Sequence, residues 1–158
     1  MGANRVALYA RVSTTDKGQD VGLQLDALRA ASEQRGWHIV DEYIDDGASG
    51  ASQDRPELSR LVSDVQRGRL DVVMVWKLDR LGRSLPHLIS LLDSFARCKV
   101  AFVSLGESGI DTTTAQGRLL LGIFGAFAEY ERALTRERVI AGVRRAQSKG
   151  IHCGRPKV

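Results

Sequence analysis

The chain has few of the groups that metal and redox chemistry require. It carries two cysteines, Cys98 and Cys153, far apart and with no Cys-x-x-Cys pair, so the clustered thiolate and imidazole ligands of a zinc site are missing. A two-magnesium nuclease would need several convergent carboxylates, whereas arginine dominates the charged clusters of this sequence. No Gly-x-x-x-x-Gly-Lys-Ser/Thr run is present, which argues against use of ATP. The expectation is a protein with no metal and no cofactor. There is no secretory leader pattern and no apolar run of about 20 residues, and Met1-Gly2 lacks the Ser or Thr of a myristoylation signal. With so few cysteines, this points to a reducing, cytoplasmic setting and no membrane partner. Internal repeats and low-complexity tracts are absent as well.

At 158 residues and 43% hydrophobic, the chain suits one globular domain with an appendage. Strand and helix patterns alternate. Arg5 to Arg11 reads as a strand, followed by a helix from about Asp20 to Arg35 and a strand from Trp37 to Ile44. A helix from about Pro56 to Arg67, a buried strand from Leu70 to Trp76, a helix from about Leu85 to Arg97 and a strand from Val100 to Leu105 follow. Pro56 and Pro86 each suit a helix's first turn. The expected fold class is α/β, a mainly parallel sheet with helices on both faces and room for one antiparallel edge strand.

Two clusters carry the chemistry. Ser13 stands just past the first strand in the polar run Ser13 to Gly18, with Arg11 two positions before it. In open α/β sheets the carboxyl edge is where ligands gather, although a serine in such a run also commonly caps a turn or helix. The buried strand ending at Trp76 leads into Lys77-Leu78-Asp79-Arg80-Leu81-Gly82-Arg83-Ser84, in which four of eight residues are ionised. That density suits a site holding a phosphodiester; a solvated loop with an Asp79 salt pair is the plainer alternative. Arg55, after the polar loop that begins at Asp45, can reach the same edge.

A serine hydroxyl is a weak nucleophile, ordinarily helped by a histidine. His38, His87 and His152 all fall outside both clusters. Activation then rests on guanidinium groups, which lower the hydroxyl's pKa and neutralise the phosphate. Arg11, Arg80 and Arg83 fit that role, with Arg55 as a fourth. Asp79 either orients these cations or carries a proton to or from the leaving oxygen. Gln24 supports the loop or the phosphate, or is an ordinary exposed helix residue.

Tyr9-x-Arg11-x-Ser13, Gln24, Ser49-Gly50 with Arg55, Leu78-Asp79-Arg80-Leu81-Gly82-Arg83, and Glu131-Arg132 with Glu137-Arg138 together resemble the serine recombinases, in particular the small resolvases and DNA invertases. The resemblance covers nearly the whole chain in order. It implies a resolvase-like three-layer fold and a bacterial or mobile-element origin. It implies that Ser13 attacks a DNA phosphodiester, leaving a 5′-phosphoserine link and a free 3′-hydroxyl. A homodimer would assemble into a tetramer that exchanges strands by subunit rotation before religation. Resolution, inversion and integration all remain open.

From about Thr114 to Lys149 there is no proline, and a helical pattern of about 34 residues would span about 50 Å. A body of about 110 residues is only about 35 Å across, so this helix should project. Its first half, Leu119 to Ala128, is apolar on every side, which calls for a second subunit or for deep burial within one chain. Leu120, Ile123, Phe124 and Phe127 are the candidate dimer contacts. The second half carries the charge: residues 129–158 hold eight Lys or Arg against three Glu, while residues 1–128 hold 15 against 16 acids. Arg138, Arg145 and Lys149 share one stripe suited to a DNA backbone, unless that face is merely solvated. Arg132, Arg136, Arg144 and Arg155 are further DNA candidates; Arg132 and Arg136 face away from the stripe, towards the catalytic pocket or the partner. Gly150 is expected to end the helix. The expected organisation is a catalytic domain over 1–113, the long helix over 114–150, and at 151–158 the start of a basic linker. By resemblance, that linker would lead to a helix-turn-helix domain that this sequence does not include.

Overall fold

The computed structural model describes residues 4–11, 19–45, 55–82, 84–107 and 110–150. Nine elements follow one another over these residues: β1 (Arg5–Arg11), α1 (Gln19–Gln34), β2 (His38–Asp45), α2 (Pro56–Gln66), β3 (Val72–Val75), α3 (Leu78–Leu81), α4 (Leu85–Arg97), β4 (Ala101–Ser104) and α5 (Ala115–Ser148). The strands form one sheet in the order β2-β1-β3-β4, and every neighbouring pair is parallel. No antiparallel edge strand occurs among the described residues; an isolated antiparallel bridge between Val103 and Asp111 flanks β4.

Side chains of successive strand residues alternate between the two sheet faces. Val6, Leu8, Ala10, Val72 and Met74 meet Leu25 and Leu28 of α1. On the other face Ala7, Tyr9, Val73 and Val75 meet Leu58 and Leu61 of α2 and Leu88, Leu92 and Phe95 of α4. Burial on both faces is why β1 and β3 read as continuous apolar runs. The third strand is shorter than the run Leu70 to Trp76; at its entry Asp71 and Arg5 share a backbone bond of 2.8 Å and a bidentate ion pair.

The topology fixes where a ligand can sit. From β1 the chain moves outward to β2, then crosses back to place β3 on β1's other side. The segments leaving β1 and β3 therefore diverge, opening a crevice at the carboxyl edge between them.

Thr114 caps α5, its side chain accepting from the Gly117 amide at 3.0 Å. A Cβ on Gly117 would lie 1.9 Å from the Asp111 carbonyl oxygen, so only glycine admits this approach. Arg35 holds the same junction through a 2.7 Å ion pair with Asp111. At the far end Gly150 adopts φ +75°, the left-handed conformation that stops a helix.

Candidate active site

Arg11 is the last residue of β1, and α3 begins three residues after β3 ends. The two meet across the crevice, where Arg11 Nη2 donates to the Asp79 carbonyl oxygen at 3.4 Å. Arg55, from the start of α2, donates through Nη1 to the Leu81 carbonyl oxygen at 2.7 Å. Arg80 approaches the Asp79 carboxylate at 3.9 Å; its side chain is 16% exposed, against 64% for Asp79. Arg11, Arg55, Asp79 and Arg80 thus converge on one short helix. Arg11 Nε is buried with no hydrogen-bond partner among the described residues.

Sequence reasoning anticipated no helix at Leu78–Leu81. Four residues are too few to show a period, and the turn is held from outside. Glu107, after β4, accepts the Leu78 amide at 3.3 Å and a bond from the Ser104 hydroxyl. Gly106 donates to the Trp76 carbonyl at 2.7 Å, clamping the entry to α3. Among the described residues the Asp79 carboxylate, read as a possible orienter of the cations, approaches Arg80, while Arg11 and Arg55 donate to backbone carbonyls.

Gln24 is not an exposed helix residue: it is 2% exposed, and neither end of its amide has a partner among the described residues. Beneath the edge the Tyr9 hydroxyl donates to Asp45 at 2.9 Å. Burial and the Asp45 carboxylate push this hydroxyl well above its ordinary pKa, against the opposing pull of Arg55 and Arg11. It stays a donor. Tyr9, Asp45 and Glu107 were not singled out for these contacts by sequence reasoning. The signal available for Asp45 was Arg55-Pro56 opening a helix without a capping side chain. Ser13, Arg83, Ser49, Gly50 and Arg155 lie outside the described residues.

The first half of α5 is not uniformly apolar in its surroundings. Gly117 and Leu121 turn to the body, and Leu120 is half-buried over a small apolar cavity of about 40 Å³ shared with Leu78 and Leu88. Leu119, Ile123, Phe124, Phe127 and Tyr130 are exposed. From Glu129 onward the described side chains are exposed, apart from half-buried Leu134 and Ala146. Arg136, Arg138, Arg144, Arg145 and Lys149 are among the exposed ones, and Arg132 lines a groove of about 650 Å³ between α4 and α5. No described helix is long and apolar enough to cross a membrane.

Guanidinium groups gathered at the switch point of a parallel sheet, with a long basic helix attached, define an α/β domain with a cationic crevice at its carboxyl edge. Residues 6–152 match the family described as resolvase, N-terminal domain. The chain is 43% identical over 148 residues to the serine recombinase gin of Escherichia phage Mu, covering 94% of this chain and 70% of that protein. It is 40% identical over 149 residues to the DNA-invertase hin of Salmonella typhimurium, covering 94% and 72%. Among solved structures, the N-terminal catalytic domain of TP901-1 integrase aligns with a TM-score of 0.72 at 44% identity, covering 82% of this chain and 98% of that one. The chain belongs to the resolvase family of serine recombinases.

Proposed function

We propose that this chain performs site-specific recombination of double-stranded DNA with Ser13 as nucleophile. The Ser13 oxygen attacks the scissile phosphorus, an Oγ–P bond forms, and the P–O3′ bond breaks. The hydroxyl proton is lost from serine and the leaving oxygen gains one to become the 3′-hydroxyl. The 5′-phosphoserine ester conserves the phosphodiester's bond energy, so religation by the reverse steps needs no external fuel. Arg11, Arg55, Arg80 and Arg83 neutralise the phosphate and the charge that builds in the transition state. Asp79 keeps Arg80 in place or handles the leaving oxygen's proton, and Gln24 supports the serine loop or the phosphate. The observation that carries this reading is the convergence of Arg11, Arg55, Asp79 and Arg80 at the crevice between β1 and β3.

Residues 1–113 form the chemical unit. The helix over 114–150 pairs two copies through Ile123, Phe124 and Phe127 beside Leu120 and lays its basic half on DNA; two dimers make the active tetramer. Residues 151–158, with Arg155, continue along the DNA. The setting is the cytoplasm.

The test incubates the full-length protein with supercoiled plasmid carrying its recombination site, then resolves the quenched products on a denaturing gel. A protein band on DNA 5′ ends that disappears in Ser13→Ala, with site binding retained, is the expected result. Cleavage surviving in Ser13→Ala would remove that residue from its role. Binding without any covalent band would instead mark a non-catalytic DNA-binding relative.

A further inference from the structure

We propose that Asp45 is the positioning residue for Arg55, setting the rate of strand transfer without touching DNA; this rests on the recombinase reading above. Residue 55 is the N-cap of α2, where a Ser, Thr, Asp or Asn side chain ordinarily accepts an amide of the first turn. Arginine has no acceptor, and its charge opposes the positive end of the helix dipole. The Arg55 side chain makes no cap. Pro56 has no N–H, so Glu57 and Leu58 carry the first unmet donors.

Asp45 takes both. Its Oδ1 accepts the Glu57 amide and its Oδ2 the Leu58 amide, each at 3.0 Å. The Tyr9 hydroxyl adds a third bond at 2.9 Å, and the residue is 2% exposed. The last residue of β2 therefore pins the start of α2 to β1, two positions before Arg11. With the cap supplied from the sheet, the Arg55 guanidinium is released from the helix end and reaches the Leu81 carbonyl at 2.7 Å. Without Asp45 the first turn of α2 frays, and the backbone that aims Arg55 loses its anchor.

The experiment measures single-turnover formation of the covalent DNA complex at saturating protein, and DNA affinity separately. Full-length wild type, Asp45→Ala, Asp45→Asn, Arg55→Ala and the Asp45→Ala/Arg55→Ala double variant are compared. Asp45→Ala should slow the covalent step by about 10- to 100-fold, as a misplacement of about 1 Å does, with affinity nearly unchanged. Asp45→Asn should fall between the two. Its one carbonyl oxygen can serve Tyr9 and Leu58, while its amide then faces the Glu57 N–H, donor against donor. In the Arg55→Ala background, loss of Asp45 should add nothing, because the group it positions is gone.

A wild-type rate in Asp45→Ala, or full additivity in the double variant, would overturn the assignment. Should Asp45→Ala fail to fold, Asp45→Asn and Tyr9→Phe carry the same comparison, and wild-type rates in both would be equally fatal. Absence of any covalent complex with the wild type would overturn the serine reading itself, a separate outcome.

Discussion

Gln24 poses the sharpest question at the scale of single residues. An enclosed amide without partners costs about 1–3 kcal/mol relative to a satisfied one. Neither amide atom of Gln24 finds a partner among the described residues, although the side chain is buried. Stability alone would place an apolar residue there. Gln24→Met should therefore keep or raise the melting temperature followed by circular dichroism, while slowing formation of the covalent DNA complex. A variant that melts lower and reacts at the wild-type rate would return Gln24 to a structural role. Arg11, Asp79 and Arg80 were legible in the sequence because ionised residues directly after an apolar run have few structural uses. Asp45 and Glu107 were not, since their backbone partners lie 12 and 29 residues away, distances to which no local period points.

Elements were more legible than the contacts between them. The parallel strands and α5 show in the sequence because burial on two faces, or a long stretch free of proline, leaves a pattern many residues long. The strand order and the α3 turn depend on partners far along the chain, and they do not. The start of α5 combines both situations. Gly117 looks like an ordinary glycine in a helix, yet its missing Cβ is what lets α5 settle on the Asp111 carbonyl. Gly142 lies in the exposed half of the same helix, where an added methyl group would meet nothing within 4 Å among the described residues. The two should respond in opposite directions to alanine. Gly142→Ala should raise stability by about 0.5–1 kcal/mol through helix propensity. Gly117→Ala should lower it by about 1–3 kcal/mol, because backbone must shift to admit the methyl. Thermal melts of the two variants decide the matter, and a rise in both would mean that the Asp111 junction yields freely.

For the whole molecule, the proposed association and DNA contact draw on different stretches of one helix, so each has its own test. Ile123, Phe124 and Phe127 are exposed in the single chain, and Phe127→Glu should reduce the sedimenting mass to that of a monomer; an unchanged mass would remove the dimer argument. The basic half is tested by salt. Each phosphate neutralised by a side chain contributes about 0.9 to the slope of log affinity against log salt for duplex DNA. Arg138 and Arg145 of α5 and Lys149 at its C-cap are exposed and share one stripe. If all three lie against phosphates, replacing them together with alanine should flatten that slope by about 2.7, beyond any loss of affinity at one salt concentration. Fluorescence anisotropy of a labelled duplex across a salt series measures it. An unchanged slope would make the stripe a solvated face. A drop of only about 0.9 would leave one phosphate contact on the stripe and shift the remaining DNA binding towards Arg132, Arg136 or Arg144.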